Sequence, residues 1–204
     1  MRNILIVGAG KSSPYLIKYL LEKSQEQNLY LHITDITIDH LLHYKKNNKC
    51  IVSKINILDD NEREEYLLKN DIIISMLPAR LHMILANSCL KLKKNLITAS
   101  YVSDEMRSIN KSVKERNLIF LNEMGLDPGI DHMSAKKIID KLKVNSCSIH
   151  SFKSYTGGLI APESDNNSWN YKFTWNPRNV VLAGQGSPAK YIENKKYKYL
   201  PYNR

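Results

Sequence analysis

Along the first two-thirds of the chain, short runs of branched apolar residues alternate with longer stretches whose apolar positions recur every three or four residues. NILIVGAG (3–10) reads as a strand running into a glycine turn, and PYLIKYLLEKSQ (14–25) as a helix with Pro14 in its first turn. The same alternation continues through strand LYLHITD (29–35), helix IDHLLHYKKN (38–47), strand CIVSKINI (50–57) and charged helix DDNEREEYLLKN (59–70). It continues with strand DIIISMLP (71–78), helix ARLHMILANSCLKLK (79–93) and strand NLITASYV (95–102). A Ser-capped helix, SDEMRSINKSVKERN (103–117), precedes a sixth strand, LIFLNEMG (118–125). Strands that are apolar almost throughout are buried on both faces. With a helical segment between each pair, they predict an α/β fold with a doubly wound parallel sheet.

After a further helix, DHMSAKKIIDKLK (131–143), the texture changes. SCSIHSFKSYTGG (146–158) alternates in polarity, and residues 157–188 are rich in Gly, Pro, Trp and Asn. The division expected is therefore a first domain over residues 1–130, with 131–204 as the start of a second, incomplete one. At 204 residues and 43% hydrophobic, the chain can bury an ordinary core.

Charge changes the picture only slightly. The net charge is +10, and from His132 onward twelve Lys and Arg face four Asp and Glu. Such a surface attracts acidic small molecules or phosphates. No nucleic-acid motif accompanies it, so nucleic acid is not expected as the partner. The chain has no run of about 18 apolar residues and no signal-peptide pattern, so a cytoplasmic protein without a membrane span is expected. Cys50, Cys89 and Cys147 lie far apart in no metal-ligand spacing, as reduced thiols would.

The chemistry starts at Gly8-Ala9-Gly10-Lys11-Ser12-Ser13, between the first strand and the first helix. Gly8 and Gly10 fit a dinucleotide fingerprint, a tight turn followed by close backbone approach to a pyrophosphate at a helix N-terminus. Ser13 stands where a third glycine is usual. Asp35 ends the second strand, where an acid binds ribose hydroxyls, with Ile36 beside it; the alternative is that Asp35 caps the next helix. Met76, Leu77 and Pro78, then Ala99 and Ser100, end the fourth and fifth strands and should line the nicotinamide side of the crevice. A Rossmann-type domain binding NAD, with NADP as the other choice, follows from this pattern.

GAGKSSPYLIKYL, SMLPARLH, ASYVS, NEMGLDPGIDHM, SYTGGLIAPE and YKFTWNPRNVVLA, in that order, resemble the glutamate-forming (saccharopine reductase-like) branch of the saccharopine dehydrogenase family. The resemblance runs over essentially the whole chain. It implies a Rossmann domain followed by an α/β substrate domain, a nicotinamide cofactor, and oxidation of the secondary amine of saccharopine to an imine. Water then releases glutamate and 2-aminoadipate 6-semialdehyde, in lysine metabolism. It further implies Tyr101 and Asp127 at the reacting centre, with Asp127 as acid–base or orienting carboxylate. Gly157, Gly158 and Phe173 would grip the amino-acid ends of the substrate.

Asp131 is expected to cap the helix it begins, and His132 to be a packed or polar helix residue or a proton relay. A metal site built from Asp127, Asp131 and His132 is not expected, because no other acid or histidine cluster completes a ligand shell. The sequence departs from the family in three respects. Thr156 replaces a cysteine found in some members. Asp35 stands near where fungal NADP enzymes carry an arginine, which favours NAD. Members are roughly twice this length, so truncation is expected, with KYIENKKYKYLPYNR as an unpaired strand edge or disordered tail. A second chain completing the substrate domain, or a homodimer, would fit such a piece. The alternatives are a non-catalytic nucleotide-binding remnant and a carboxynorspermidine- or homospermidine-forming relative.

Overall fold

Alternation along the first strand accounts for much of the core. β1 (Arg2–Val7) sends Ile4 and Ile6 into one buried cluster and Leu5 and Val7 into another, on opposite faces of the sheet. The first cluster takes Ile17 from α1 (Ser13–Lys23) and Leu41 from the 3-10 helix Asp39–Lys46. The second takes Leu67 from α2 (Asp60–Leu68), Leu85, Ala86 and Cys89 from α3 (His82–Lys91), and Met106 from α4 (Asp104–Ser108). Helices therefore cover both faces, and each fully buried Leu or Ile contributes about 1.5–3 kcal/mol relative to exposure.

The computed structural model describes residues 1–173, 177 and 188–201. β1, β2 (Leu29–Asp35), β3 (Cys50–Lys54), β4 (Ile72–Ser75), β5 (Asn95–Thr98) and β6 (Phe120–Leu121) form one sheet in the order β3-β2-β1-β4-β5-β6. Every neighbouring pair is parallel. The chain order reverses between β1 and β4, which makes the carboxyl ends of those strands the crevice for a ligand.

Three elements differ from expectation. The segment after β2 is a 3-10 helix, because Leu41 alone is buried there and no i, i+4 row of packed side chains holds an α-turn. The helix after β5 breaks at Ile109 into α4 and α5 (Asn110–Glu115). Ser103 caps α4 as expected, its hydroxyl accepting from Met106 N at 3.1 Å. β6 is reduced to two residues at the edge of the sheet.

The chain divides into two compact units, Met1–Ser148 and Ile149–Arg204. The first unit ends with α6 (Ile130–Val144). In the second, the alternating stretch up to Gly158 forms no strand. It holds a 3-10 turn at Pro162–Ser164 and an antiparallel hairpin of β7 (Ala189–Glu193) and β8 (Lys196–Leu200). Asn194 and Lys195 close the hairpin with φ of 53° and 62°, the left-handed pair that a two-residue turn between twisted strands requires. Of the tail expected as an unpaired strand edge or disordered segment, residues 190–200 belong to this hairpin, whose outer edges stay uncovered among the described residues, and 202–204 lie outside them. Of the stretch YKFTWNPRNVVLA, residues 174–176 and 178–183 lie outside the described residues. No described helix is long and apolar enough to cross a membrane.

Candidate active site

The glycine loop is built against the end of β4. Gly8 has φ +91°, and a Cβ there would stand 3.0 Å from the carbonyl carbon of Met76. Only glycine permits both this conformation and this approach. A Cβ on Gly10 would meet nothing within 4 Å, so the second glycine leaves open space beside the N-terminus of α1. That is the shape a pyrophosphate needs. Ser12, the N-cap of α1, makes no side-chain cap bond. Ser13 is buried and its hydroxyl donates to Gly8 O at 3.2 Å, closing helix onto strand as the third glycine would.

Asp35 is tied to the same loop. Its carboxylate accepts from Ala9 N at 2.6 Å and from Thr37 N at 3.1 Å, while His40 Nε2 lies 2.9 Å from Ala9 O. The acid neither caps the 3-10 helix nor presents a carboxylate without partners. It braces the turn from which a cofactor would be held. Ile36, beside it, is exposed.

At the other end of the crevice, Tyr101 Oη donates to Asp127 Oδ1 at 2.7 Å. The hydrogen bond to Asp127, then desolvation, then the charges of Asp127, Asp131 and Glu123 push the phenol up to about 12. Backbone hydrogen bonds close the Asp127 turn. Gly125 N donates to Pro128 O at 2.9 Å, Ile130 N to Gly125 O at 2.9 Å and Asp131 N to Leu126 O at 3.1 Å. The Asp127–Pro128 peptide is cis. Gly129 has φ +150°, and a Cβ on it would lie 2.0 Å from Gly125 O, so nothing larger fits.

Asp131 is not the cap expected of it: the N-cap of α6 is Gly129, which has no side-chain cap bond, and Asp131 accepts from the Gly129 N–H at 3.0 Å from inside the first turn. It also pairs with His132 Nδ1 at 2.7 Å, and this bond and charge raise the His132 pKa above its usual value. Ligand atoms of Asp127, Asp131 and His132 do come within 4.8 Å of one another. All three residues are exposed, and the hydrogen bonds just described account for the grouping.

Glu123 and His82, neither of them among the expected site residues, organise this edge. Glu123, in a left-handed conformation with φ 62°, clamps the Tyr101 loop from both sides. Its N–H donates to Ser100 O at 3.1 Å and its Oε1 accepts from Val102 N at 3.1 Å. His82, 5% exposed, lies between Ser75 Oγ and Ser100 Oγ, each at 2.8 Å. The only available signal for His82 was a polar residue on an apolar helix face. Gly157, Gly158 and Phe173 fall in the second unit. There the glycines have open space at their Cβ positions, and Phe173 packs edge-on against Tyr171 at 5.6 Å. A groove of about 640 Å³ between α4, α5 and β6 contains none of the expected site residues.

Comparisons with known proteins bear on the family and the fold. The model for the saccharopine dehydrogenase NADP binding domain matches residues 4–121, and that for the saccharopine dehydrogenase C-terminal domain matches 125–204. The chain is 43% identical over 141 residues to alpha-aminoadipic semialdehyde synthase of Arabidopsis thaliana, covering 69% of this chain and 13% of that protein. It is 33% identical over 195 residues to the NADP(+), L-glutamate-forming saccharopine dehydrogenase of Saccharomyces cerevisiae, covering 96% of this chain and 43% of that one. A solved structure of the L-Glu-forming saccharopine dehydrogenase from Saccharomyces cerevisiae superposes with a TM-score of 0.83 at 30% identity. That match covers all of this chain and 45% of the other. The chain thus spans less than half the length of these relatives. The comparisons favour NADP, so the expectation of NAD as the main cofactor lacks support. By the match over residues 4–121 and the full-length superposition, the chain belongs to the saccharopine dehydrogenase family.

Proposed function

We propose that this chain serves an NADP-dependent oxidation of the secondary amine of saccharopine, releasing glutamate and 2-aminoadipate 6-semialdehyde. Residues 1–130 act as the cofactor domain and 131–204 as the first part of the substrate domain. The observation that carries this reading is the Tyr101–Asp127 hydrogen bond at the carboxyl edge of the sheet. Gly8, Gly10 and Ser12 would hold the pyrophosphate on a loop that Ala9 and Ser13 brace through Asp35 and Gly8 O, with Met76, Leu77, Pro78, Ala99 and Ser100 toward the nicotinamide. With Ala9 and Thr37 N–H groups on its carboxylate, Asp35 is a weaker obstacle to a 2′-phosphate than a solvated acid. When bound, the cofactor supplies a hydride acceptor.

The remaining work falls to the chain's own side chains. With its pKa near 12, Tyr101 stays protonated at neutral pH and acts as a donor. It holds Asp127 Oδ1 and leaves Oδ2 to take a proton from the amine, or from the water that adds to the imine. Glu123, Asp127 and Asp131 together make a negative field suited to a substrate ammonium. The N–H groups of Gly157 and Gly158 suit a substrate carboxylate, with Phe173 packing on its chain.

The test is to incubate the purified chain with saccharopine and NADP and follow reduced cofactor. Turnover is expected, and Asp127→Asn should lower it by about a hundredfold or more while NADP binding persists. NADP binding with no turnover would reduce the function to nucleotide binding. Absence of both would overturn the proposal.

A further inference from the structure

We propose that His82 is a positioning residue that fixes the direction of the Ser100 hydroxyl. Through the Ser75–His82–Ser100 chain, the end of β5 meets the cofactor as a hydrogen-bond donor. This rests on the placement of Ser100 toward the nicotinamide.

The argument is one of proton counting. Burial lowers the His82 pKa, so the imidazole is neutral near pH 7, with one nitrogen donating and the other accepting. Ser75 is fully buried, and among the described residues its hydroxyl has one partner, His82 Nδ1 at 2.8 Å. If Nδ1 carried the proton, Ser75 Oγ would accept it and its own O–H would be left buried without an acceptor. An orphaned buried donor costs about 1–3 kcal/mol, whereas an unfilled lone pair is better tolerated. Ser75 therefore donates to Nδ1, and the proton of the ring sits on Nε2.

The rest follows from that assignment. Nε2–H donates to Ser100 Oγ at 2.8 Å. Ser100 cannot also donate to His82, so its O–H turns away from the ring. The adjoining backbone is held in place, since Ser100 N donates to Thr98 Oγ1 at 3.2 Å and Ser100 O accepts from Glu123 N at 3.1 Å. The half-buried hydroxyl is thus a fixed donor beyond the end of β5, suited to a carbonyl acceptor such as a carboxamide oxygen. With the opposite tautomer, Ser100 would donate inward and offer only lone pairs.

Long-range ¹H–¹⁵N spectra of the full chain, labelled on histidine and without ligand, read the tautomer directly. A protonated Nε2 and bare Nδ1 on His82 are expected; a protonated Nδ1 would overturn the proposal. This outcome does not depend on cofactor binding, so a chain that failed to bind NADP would count against the functional reading while the tautomer still decided this one.

NADP titration supplies the second arm. Ser100→Ala is expected to weaken binding about fivefold, the size of one neutral hydrogen bond. His82→Gln places its amide nitrogen near the position of Nε2 and should retain affinity. His82→Asn, whose amide reaches only the Nδ1 position, should lose as much as Ser100→Ala. Combining His82→Asn with Ser100→Ala should add nothing further. Equal losses for the Gln and Asn variants, or additive losses in the double variant, would indicate a merely structural histidine.

Discussion

At the scale of single residues, the Asp127 turn depends on one atom's absence. Gly129→Ala would drive a Cβ to 2.0 Å from Gly125 O at φ +150°. It should cost about 3 kcal/mol or more in urea denaturation, and a loss under about 0.5 kcal/mol would show that the turn relaxes freely. The Tyr101 phenol gives a second measure. Its hydrogen bond to Asp127 raises it to about 12, so the stability from this pair is fully present below about pH 10. That stability is lost as pH rises through 12. In Asp127→Asn the phenol should titrate near 10 by ¹³C NMR; an unchanged midpoint would mean the pair is not formed. Gly125 and Gly129 were legible as turn residues, whereas Tyr101 and Asp127 were singled out through the family resemblance and not through their own spacing. Glu123 and His82 were not legible, because their partners lie on loops and strands that only the sheet order brings together.

Elements were legible where burial is continuous and obscure where it is not. All six strands of the sheet announced themselves by apolar runs, and α1 and α3 by their spacing. The segment Asp39–Lys46 did not, since helical-looking sequence with one buried anchor settles into 3-10 geometry. α2 shows another way to hold an element. Its buried Arg63 donates through Nε to Ser88 Oγ on α3, through Nη1 to Ile57 O and through Nη2 to Asp60 Oδ1. Arg63→Leu, which removes the bonds to Ser88 Oγ and Ile57 O while leaving the exposed Asp60 to water, should cost about 2–4 kcal/mol by thermal or chemical denaturation. β2 carries a titrating neighbour, His32, bonded to Ser53 Oγ at 2.9 Å and packed on Tyr66 at 4.8 Å. Burial, and then Lys69, lower its pKa to about 4. Because the unfolded state takes up this proton first, stability holds above about pH 6.5 and falls between there and 4. The loss should be about 1–2 kcal/mol after allowance for partial exposure, and His32→Gln should flatten that part of the profile.

For the whole molecule, every buried residue among those described lies in the first unit, which also holds the glycine loop and the Tyr101–Asp127 pair. A fragment of residues 1–148 should therefore fold cooperatively and bind NADP within about threefold of the full chain, as judged by calorimetry. A molten fragment would show that the second unit is required for the core. The second unit was the least legible part of the sequence, because no described residue in it is buried and patterning had no core to report on.

The β7–β8 hairpin has a further consequence. Its strands pair with each other, and among the described residues no third strand covers their outer edges. Tyr191, Ile192, Tyr197 and Tyr199 stand exposed among Lys190, Lys196 and Lys198. Lys190 Nζ lies 4.3 Å from the Tyr197 ring centroid, and Lys198 contacts Glu193. Charged lysines on an open edge keep neighbouring chains from adding to it. In colloidal terms the ammonium groups act as a charge barrier along an apolar strip, and acylating those lysines should raise the chain's tendency to self-associate, as light scattering would read.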